Sequence, residues 1–242
     1  MARDEYGAAA DVLESPEHPL EASAAVFARA FDVSGAAVST VGDFLGNETI
    51  SASDDRAARL DELQFDLGEG PCWEALSTLL PVHEPDLRHS ARHTWPAFTR
   101  AALQEPIGAV FAFPMTVGAL RLGAVDLYSV EPRTLSDEQS REAIRLAGIV
   151  GRRILRRALD SAAVAATADQ TDAEPESRFS RRTIHQATGM VLAQLDISAE
   201  EAGLVIQGHA FATERSMMSV AADILAGRLD FSKGENGIED PR

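Results

Sequence analysis

The chain has no proline between Pro132 and Pro175, and this stretch limits its possible folds more than any other feature. Ser136, followed by Asp137, Glu138 and Gln139, forms a capping box: the Ser hydroxyl takes one orphan amide and Gln139 reaches back to the Ser amide. From there to about Ala168, apolar residues recur at helical spacing as Ala143, Ala147, Val150, Ile154, Ala158 and Ala165, with Ile144 and Leu155 alongside. The pattern predicts one helix over residues 136–168, roughly 50 Å long at 1.5 Å per residue. A small domain cannot cover so long a stripe, so the sequence predicts a coiled coil with a second chain. A shorter helix packed on its own sheet is the competing reading. Gly148 and Gly151 each weaken the helix by about 1 kcal/mol, yet they permit close helix contact. Arg145, Arg152, Arg153, Arg156 and Arg157 read first as a solubilising face.

Before this helix, strand and helix patterns alternate. Residues 1–19 mix charge, Ala and Pro and read as an extension, loose or briefly helical. Leu20, Ala24, Phe27, Ala28 and Phe31 have helical spacing, and residues 35–40 (GAAVST) and 49–52 read as strands. Residues 60–65 run into a turn at Gly68-Glu69-Gly70-Pro71, which a short helix follows. Residues 81–86 suit an edge strand and residues 94–104 a helix. Residues 109–117 and 120–128 form an antiparallel hairpin turning at Gly118. The expected fold class is α+β, with a central antiparallel sheet flanked by helices over residues 20–135.

After the long helix, residues 169–177 are polar and acidic and read as a linker. Three short amphipathic helices follow. The first carries Ile184, Ala187, Val191 and Leu195. The second opens on the capping box Ser198-Ala199-Glu200-Glu201 and carries Ala202, Val205, Ile206, His209 and Ala210. The third starts at Ser216, carries Val220, Ala221 and Ile224, and ends near Gly227. The tail over residues 230–242 has no apolar period and is expected to be disordered.

Charge narrows the function. The chain has 22 Lys and Arg against 38 Asp and Glu, a net charge of −16, which disfavours non-specific binding to nucleic acid or anionic membrane. Any nucleic-acid site must therefore be a local basic surface. One appears at the start of the first C-terminal helix, where Arg178, Arg181, Arg182 and His185 occur with no acid before Asp196. The N-terminal residues lack an apolar core of signal-peptide length. The chain has one cysteine, Cys72, which fits a reducing compartment. A cytoplasmic protein is expected.

The segments Ile184-His185-Gln186-Ala187-Thr188-Gly189-Met190-Val191-Leu192, Ile197-Ser198-Ala199-Glu200-Glu201-Ala202 and Val220-Ala221-Ala222-Asp223-Ile224-Leu225 together resemble an ANTAR domain over residues 178–229. The resemblance implies binding of paired RNA hairpins in nascent transcripts and transcription antitermination. It points to Arg178, Arg181, Arg182, His185, Gln186, Thr188, Gly189 and Arg215 as RNA-binding residues. Two departures from the family pattern remove positive charge: Thr188 stands where the family usually has Lys, and Glu214-Arg215-Ser216-Met217 replaces a more basic run. RNA affinity depends on phosphate neutralisation. Gly189 and Ala187 have a second reading as close helix-packing positions, and the arginines as a solvated helix start.

Residues 20–159 resemble a GAF domain. The carriers are Gln64-Phe65-Asp66-Leu67-Gly68-Glu69-Gly70-Pro71-Cys72, Asp86-Leu87, Trp95-Pro96-Ala97-Phe98, Phe113-Pro114-Met115 and Leu122-Gly123-Ala124-Val125-Asp126-Leu127-Tyr128. The resemblance implies a sensor domain with an unidentified small-molecule ligand or a role in association. Phe44, Phe65, Cys72, Trp95 and Phe111 are candidates for lining its pocket, with core packing as the alternative for each. Cys72 reads as a buried, inert thiol. His83, His89 and His93 lack metal-ligand spacing, and no metal or other cofactor is expected.

The chain has no Walker loop, HExxH or Gly-x-Ser-x-Gly motif, and an enzyme is not expected. Two functions stay open. One is a dimeric RNA-binding antitermination regulator. The other is a signalling module that binds a partner protein without RNA. A DNA-reading helix-turn-helix is disfavoured, because the last helix starts without Arg or Lys.

Overall fold

The computed structural model describes residues 2–42, 45–90, 94–167, 182–213, 215–234 and 237–238. The chain divides into two compact units, residues 1–179 and 180–242.

The first unit is built on five antiparallel strands: β1 (Gly35–Thr40), β2 (Glu48–Ala52), β3 (Val82–Glu84), β4 (Ala109–Val117) and β5 (Leu120–Ser129), in the order β2-β1-β5-β4-β3. Alternation along the strands splits the core in two. Ala36 and Val38 of β1 join Ala109, Phe111, Phe113 and Met115 of β4 on one face. Ala37, Val110, Ala112 and Tyr128 occupy the other. Both faces are covered by helices, so the central strands are apolar almost throughout. Pro114 lies in β4 beyond the register of β3, which ends opposite Ala112; its missing amide therefore breaks no ladder bond on that side.

The first face is covered by α1 (Ala2–Glu14), α2 (Ser23–Ala30) and α6 (Asp137–Thr167). The second carries α3 (Asp55–Leu67), α4 (Pro71–Thr78) and α5 (Pro96–Ala102). Two glycines make the α3–α4 corner: Gly68 ends α3 at φ 64°, and Gly70 precedes α4 at φ 139°, both in a region that L side chains avoid. Pro71 then fills the first position of α4, where an amide would be unpaired in any case.

Ser136 and Gln139 make the reciprocal capping box expected from the sequence, with the Ser136 amide donating to Gln139 Oε1 at 2.9 Å and the Gln139 amide to Ser136 Oγ at 3.2 Å. The first half of the α6 stripe does not wait for a second chain. Ala143, Leu146, Ala147, Val150 and Ile154 are buried in the domain's own core, although the helix is not the shorter one of the competing reading and runs on to Thr167. The second half is barer, with Leu159 57% exposed.

Residues 1–19 are more than an extension. Tyr6, Ala9, Ala10 and Leu13 recur at helical spacing on α1 and are buried against α2 and α6. Three of the α6 arginines secure this packing. Arg145 donates to Tyr6 O at 3.2 Å, Arg153 to Leu13 O at 2.8 Å and to His18 O at 2.6 Å, and Arg157 pairs with Glu21 at 2.7 Å. Arg153 thus supplies a cation to the C-terminal end of α1, donating to Leu13 O in its last turn and to His18 O in the turn that follows.

The second unit is a bundle of α7 (Arg182–Leu195), α8 (Ala199–Ala212) and α9 (Met217–Leu225). Its core includes Ile184, Ala187, Val191, Ala202, Ile206, Val220 and Ile224. Ser198 and Glu201 cap α8 reciprocally, and Ser216 caps α9. Gly227 (φ 67°) ends α9: its amide donates to Ile224 O at 3.0 Å, and the Arg228 amide to Asp223 O at 2.8 Å, which satisfies two orphan carbonyls. The chain then turns back, and the start of the tail packs instead of leaving the bundle. Leu229 and Phe231 are buried, Phe231 at 3% exposure, with its ring edge-on to His209 at 5.4 Å and its amide donating to Gln194 Oε1 at 3.2 Å. Three short helices leave their apolar end open, and these two side chains close it. The linker expected over residues 169–177 lies outside the described residues.

Candidate functional site

In the bundle, helical geometry sorts the residues singled out by sequence. With Ile184, Ala187, Val191 and Leu195 turned to the core, positions 182, 186, 189 and 193 fall on the opposite side of α7, with position 185 beside them. His185, Gln186, Gly189 and Ala193 are exposed. A Cβ built on Gly189 would meet nothing within 4 Å, so this glycine is not needed for helix packing and leaves the backbone open to approach. Ala187 is fully buried and belongs to the core. Thr188 is half-buried, and its hydroxyl donates to Ile184 O at 2.9 Å, which turns it inward. Residues 182–195 contain no acid. Arg178 and Arg181 lie outside the described residues, and Arg182 is placed by its position alone.

Arg215 is drawn along α9. It donates to Ser219 Oγ at 2.8 Å and pairs with Asp223 at 2.5 Å, while Arg228 pairs with Asp223 at 2.6 Å. The Arg215 and Arg228 guanidiniums hold the Asp223 carboxyl below the usual carboxylate range. Arg215 therefore has a structural role in the turn that the sequence did not show, and its charge is shared with an acid.

In the first unit, the structure does not gather the four described pocket candidates in one place. Phe111 faces the α6 side of the sheet. Trp95 packs with Phe98 on the other side. Phe65 sits behind Trp73, with ring centroids 6.2 Å apart, and Cys72 is fully buried. Phe44 lies outside the described residues. A cavity of about 460 Å³ opens beside α4 and the β4–β5 hairpin, lined by Val41, Trp73, Leu76, Leu120 and Arg121. A smaller one of about 160 Å³ lies under the second half of α6, lined by Leu20, Glu21, Ile50, Ile154 and Arg157. Neither is lined by Phe65, Cys72, Trp95 or Phe111. The sequence could not separate them, because both faces of a helix-covered sheet are apolar.

Sequence reasoning also missed a buried polar cluster on the α3–α4 face. Asp61 accepts from Ser39 Oγ at 2.6 Å and from the Thr49 hydroxyl. Gln64 ties three elements: its Nε2 donates to Asp126 Oδ2 at 2.9 Å, its Oε1 accepts from the Cys72 amide at 2.8 Å, and its carbonyl accepts from Trp73 Nε1 at 2.7 Å. Asp126 is buried on β5, and its Oδ1 has no hydrogen-bond partner among the described residues. Burial, and then the charge of Asp61, push the Asp126 carboxyl well above the usual carboxylate range; the Gln64 amide works against them. Burial therefore favours the protonated form of Asp126 over the charged one. The one signal in the sequence was an acid inside the apolar run Ala124-Val125-Asp126-Leu127-Tyr128. Glu69 caps α5 from a distance, accepting from the Ala97 and Phe98 amides at 2.6 and 2.8 Å. Among the described residues, no group of three or more His, Cys, Asp and Glu side chains could hold a metal ion, and no helix is long and apolar enough to cross a membrane.

Residues 176–225 match the ANTAR domain family model. The GAF domain of a phosphoenolpyruvate-protein phosphotransferase from Coxiella burnetii is similar to 66% of this chain and is covered over 96% of its own length, at 12% identity and a TM-score of 0.51. That level of identity speaks for the fold alone. This chain joins a GAF-fold domain to an ANTAR domain. The GAF domain of the Acinetobacter phosphoenolpyruvate-protein phosphotransferase aligns with 70% of the chain and 97% of its own length at 11% identity and a TM-score of 0.48. A domain of a two-component sensor histidine kinase from Sinorhizobium meliloti aligns with 62% of the chain and 97% of its own length at 18% identity and a TM-score of 0.49. No curated protein matches the chain.

Proposed function

We propose that the chain is a cytoplasmic RNA-binding regulator of transcription antitermination, with the GAF-fold domain as its sensor and the ANTAR domain as its RNA-binding part. The observation that carries this reading is the outer side of α7 within the matched segment: acid-free, opening on Arg182, with His185 and Gln186 exposed and Gly189 bare. Arg178, Arg181 and Arg182 neutralise phosphates, and an open glycine admits the RNA backbone or a looped-out base. Arg215 contributes less, because Asp223 shares its charge.

Two copies bind two hairpins, and the exposed second half of α6 around Leu159 is where their helices pair. Two tethered sites gain affinity through effective concentration, which offsets the modest charge of each. The GAF-fold domain binds a small molecule in the cavity beside α4.

The test is RNA binding by the full chain at several salt concentrations, with a two-hairpin leader, a scrambled control and an Arg181→Ala/Arg182→Ala variant. Preference for the paired hairpins is expected. The variant should flatten the slope of log affinity against log salt by about 0.7–0.9 per lost phosphate contact. Equal binding to the scrambled RNA, or none to either, overturns the reading in favour of a protein-interaction module.

A further inference from the structure

The arginines of α6 divide into two sets. Arg145, Arg153 and Arg157 are engaged by carbonyls or acids of their own domain. Arg141, Arg152 and Arg156 are exposed, and among the described residues none of the three bonds an acid or a carbonyl. Helical period places Arg141, Arg145, Arg152 and Arg156, at i, i+4, i+11 and i+15, within about 60° of arc on the outer side of the helix. At 1.5 Å per residue the row is about 22 Å long. Its only acid is Glu142, which pairs with Arg145. The other acids of α6, Asp137, Glu138 and Asp160, lie beyond its two ends.

Gly148 falls in the middle of the row. A Cβ built there would meet only Arg152 Nη1, at 3.5 Å, whereas one built on Gly151 would meet Met115 and Leu122. Gly151 thus serves packing on the sheet, and Gly148 leaves the helix backbone bare between Arg145 and Arg152.

We infer that this row is a second RNA-contact surface, which takes the phosphates of a strand laid along α6; this rests on the chain being an RNA binder. Charge complementarity selects the occupant. The chain holds 38 acids against 22 Lys and Arg, yet Arg141, Arg152 and Arg156 take none of them, while the other three arginines of the same helix are all engaged. The anion they suit comes from outside the chain. A protein surface is held mainly by large side chains seated in pockets, and between Arg141 and Arg156 the outer arc offers none, only Gly148. A nucleic-acid backbone asks only for a line of cations, and a guanidinium meets a phosphate through two parallel bonds. The row ends before Leu159, around which two copies are proposed to pair.

The experiment measures binding of a two-hairpin leader RNA to the full chain across salt. Arg152→Gln/Arg156→Gln changes two exposed side chains and should leave far-UV circular dichroism and the sedimentation of the free chain unchanged. It should flatten the slope of log affinity against log salt by about 1.4–1.8 and weaken binding roughly thirtyfold at about 0.1 M salt. Arg152→Lys/Arg156→Lys should keep the slope. Arg88→Gln/Arg100→Gln removes two exposed arginines outside α6 and should also keep it. Equal losses in the two Gln pairs overturn the inference, because net charge alone is then felt. An altered sedimentation of the α6 variant overturns it as well, since the loss then comes from assembly. Unchanged binding by the α6 variant overturns it in favour of an acidic protein partner for the row, while a preference for paired hairpins that falls in Arg181→Ala/Arg182→Ala leaves the RNA reading standing. No RNA binding by the wild-type chain overturns both.

Discussion

Replacing Asp126 by Asn tests the electrostatics of the sensor core. The wild-type carboxyl is buried, next to Asp61, and takes one hydrogen bond, from Gln64. Its pKa is therefore higher in the folded chain than in the unfolded one. Below about pH 4 both states hold the proton and the group contributes no pH dependence. As pH rises above that point, the unfolded chain releases the proton while the folded chain keeps it. Stability then falls by up to about 1.4 kcal/mol per pH unit, until Asp126 ionises in the folded state as well. Asn cannot ionise and retains an acceptor for Gln64. The stability of Asp126→Asn minus that of wild type should thus grow as pH rises above about 4, at up to that slope until Asp126 ionises in the fold, whatever constant offset the new amide adds. Urea unfolding of the full chain at five pH values measures this. Both tryptophans of the chain, Trp73 and Trp95, lie in the first unit, so their fluorescence follows that unit without interference from the bundle. A difference that stays flat, or shrinks as pH rises, would show that Asp126 ionises normally in the fold and that the account of its burial is wrong.

Other substitutions test the remaining parts. Arg153→Met removes two charge-assisted bonds, to Leu13 O in the last turn of α1 and to His18 O beyond it, and should cost about 2–3 kcal/mol, with limited proteolysis appearing between residues 14 and 19 first. Gly189→Ala should raise the thermal stability of the bundle by about 1 kcal/mol, since the space is open, yet weaken binding of a two-hairpin RNA at least tenfold; unchanged affinity would remove Gly189 from the interface. Asp223→Asn releases Arg215 and Arg228, and RNA titrations across salt should show tighter binding and a slope steeper by about 0.7–0.9 for each cation that gains a phosphate.

What the sequence revealed was mainly periodic. Ser136, the stripe of α6, the α8 capping box and the alternation of β4 each depend on neighbours a few residues away, so their elements were readable in place. The partners of those elements were not. Nothing local in Tyr6, Ala9 or Leu13 says that α6 will cover them, or that Arg145 and Arg153 will hold them there. Phe111 and Trp95 look alike as buried aromatics, yet they lie on opposite faces of the sheet. At the candidate RNA face, helical period placed Gln186 and Gly189 outward and Ala187 inward. Thr188 looked available only because its bond to Ile184 O and its half-burial are invisible without coordinates. Arg215 looked free for the same reason, since Asp223 stands eight residues away.

The contacts of α1 also bear on the order in which the chain can fold. The bonds from Arg145 and Arg153 to Tyr6, Leu13 and His18 span 139, 140 and 135 residues. A thirteen-residue helix is marginal in water on its own, so α1 keeps its place through the contacts it makes with α2, nearby in sequence, and with α6, far away in sequence. The contacts with α6 must wait until the whole sheet has been made, at 5–20 residues per second a delay of about seven to thirty seconds. The first unit can therefore complete its core only when its last helix arrives.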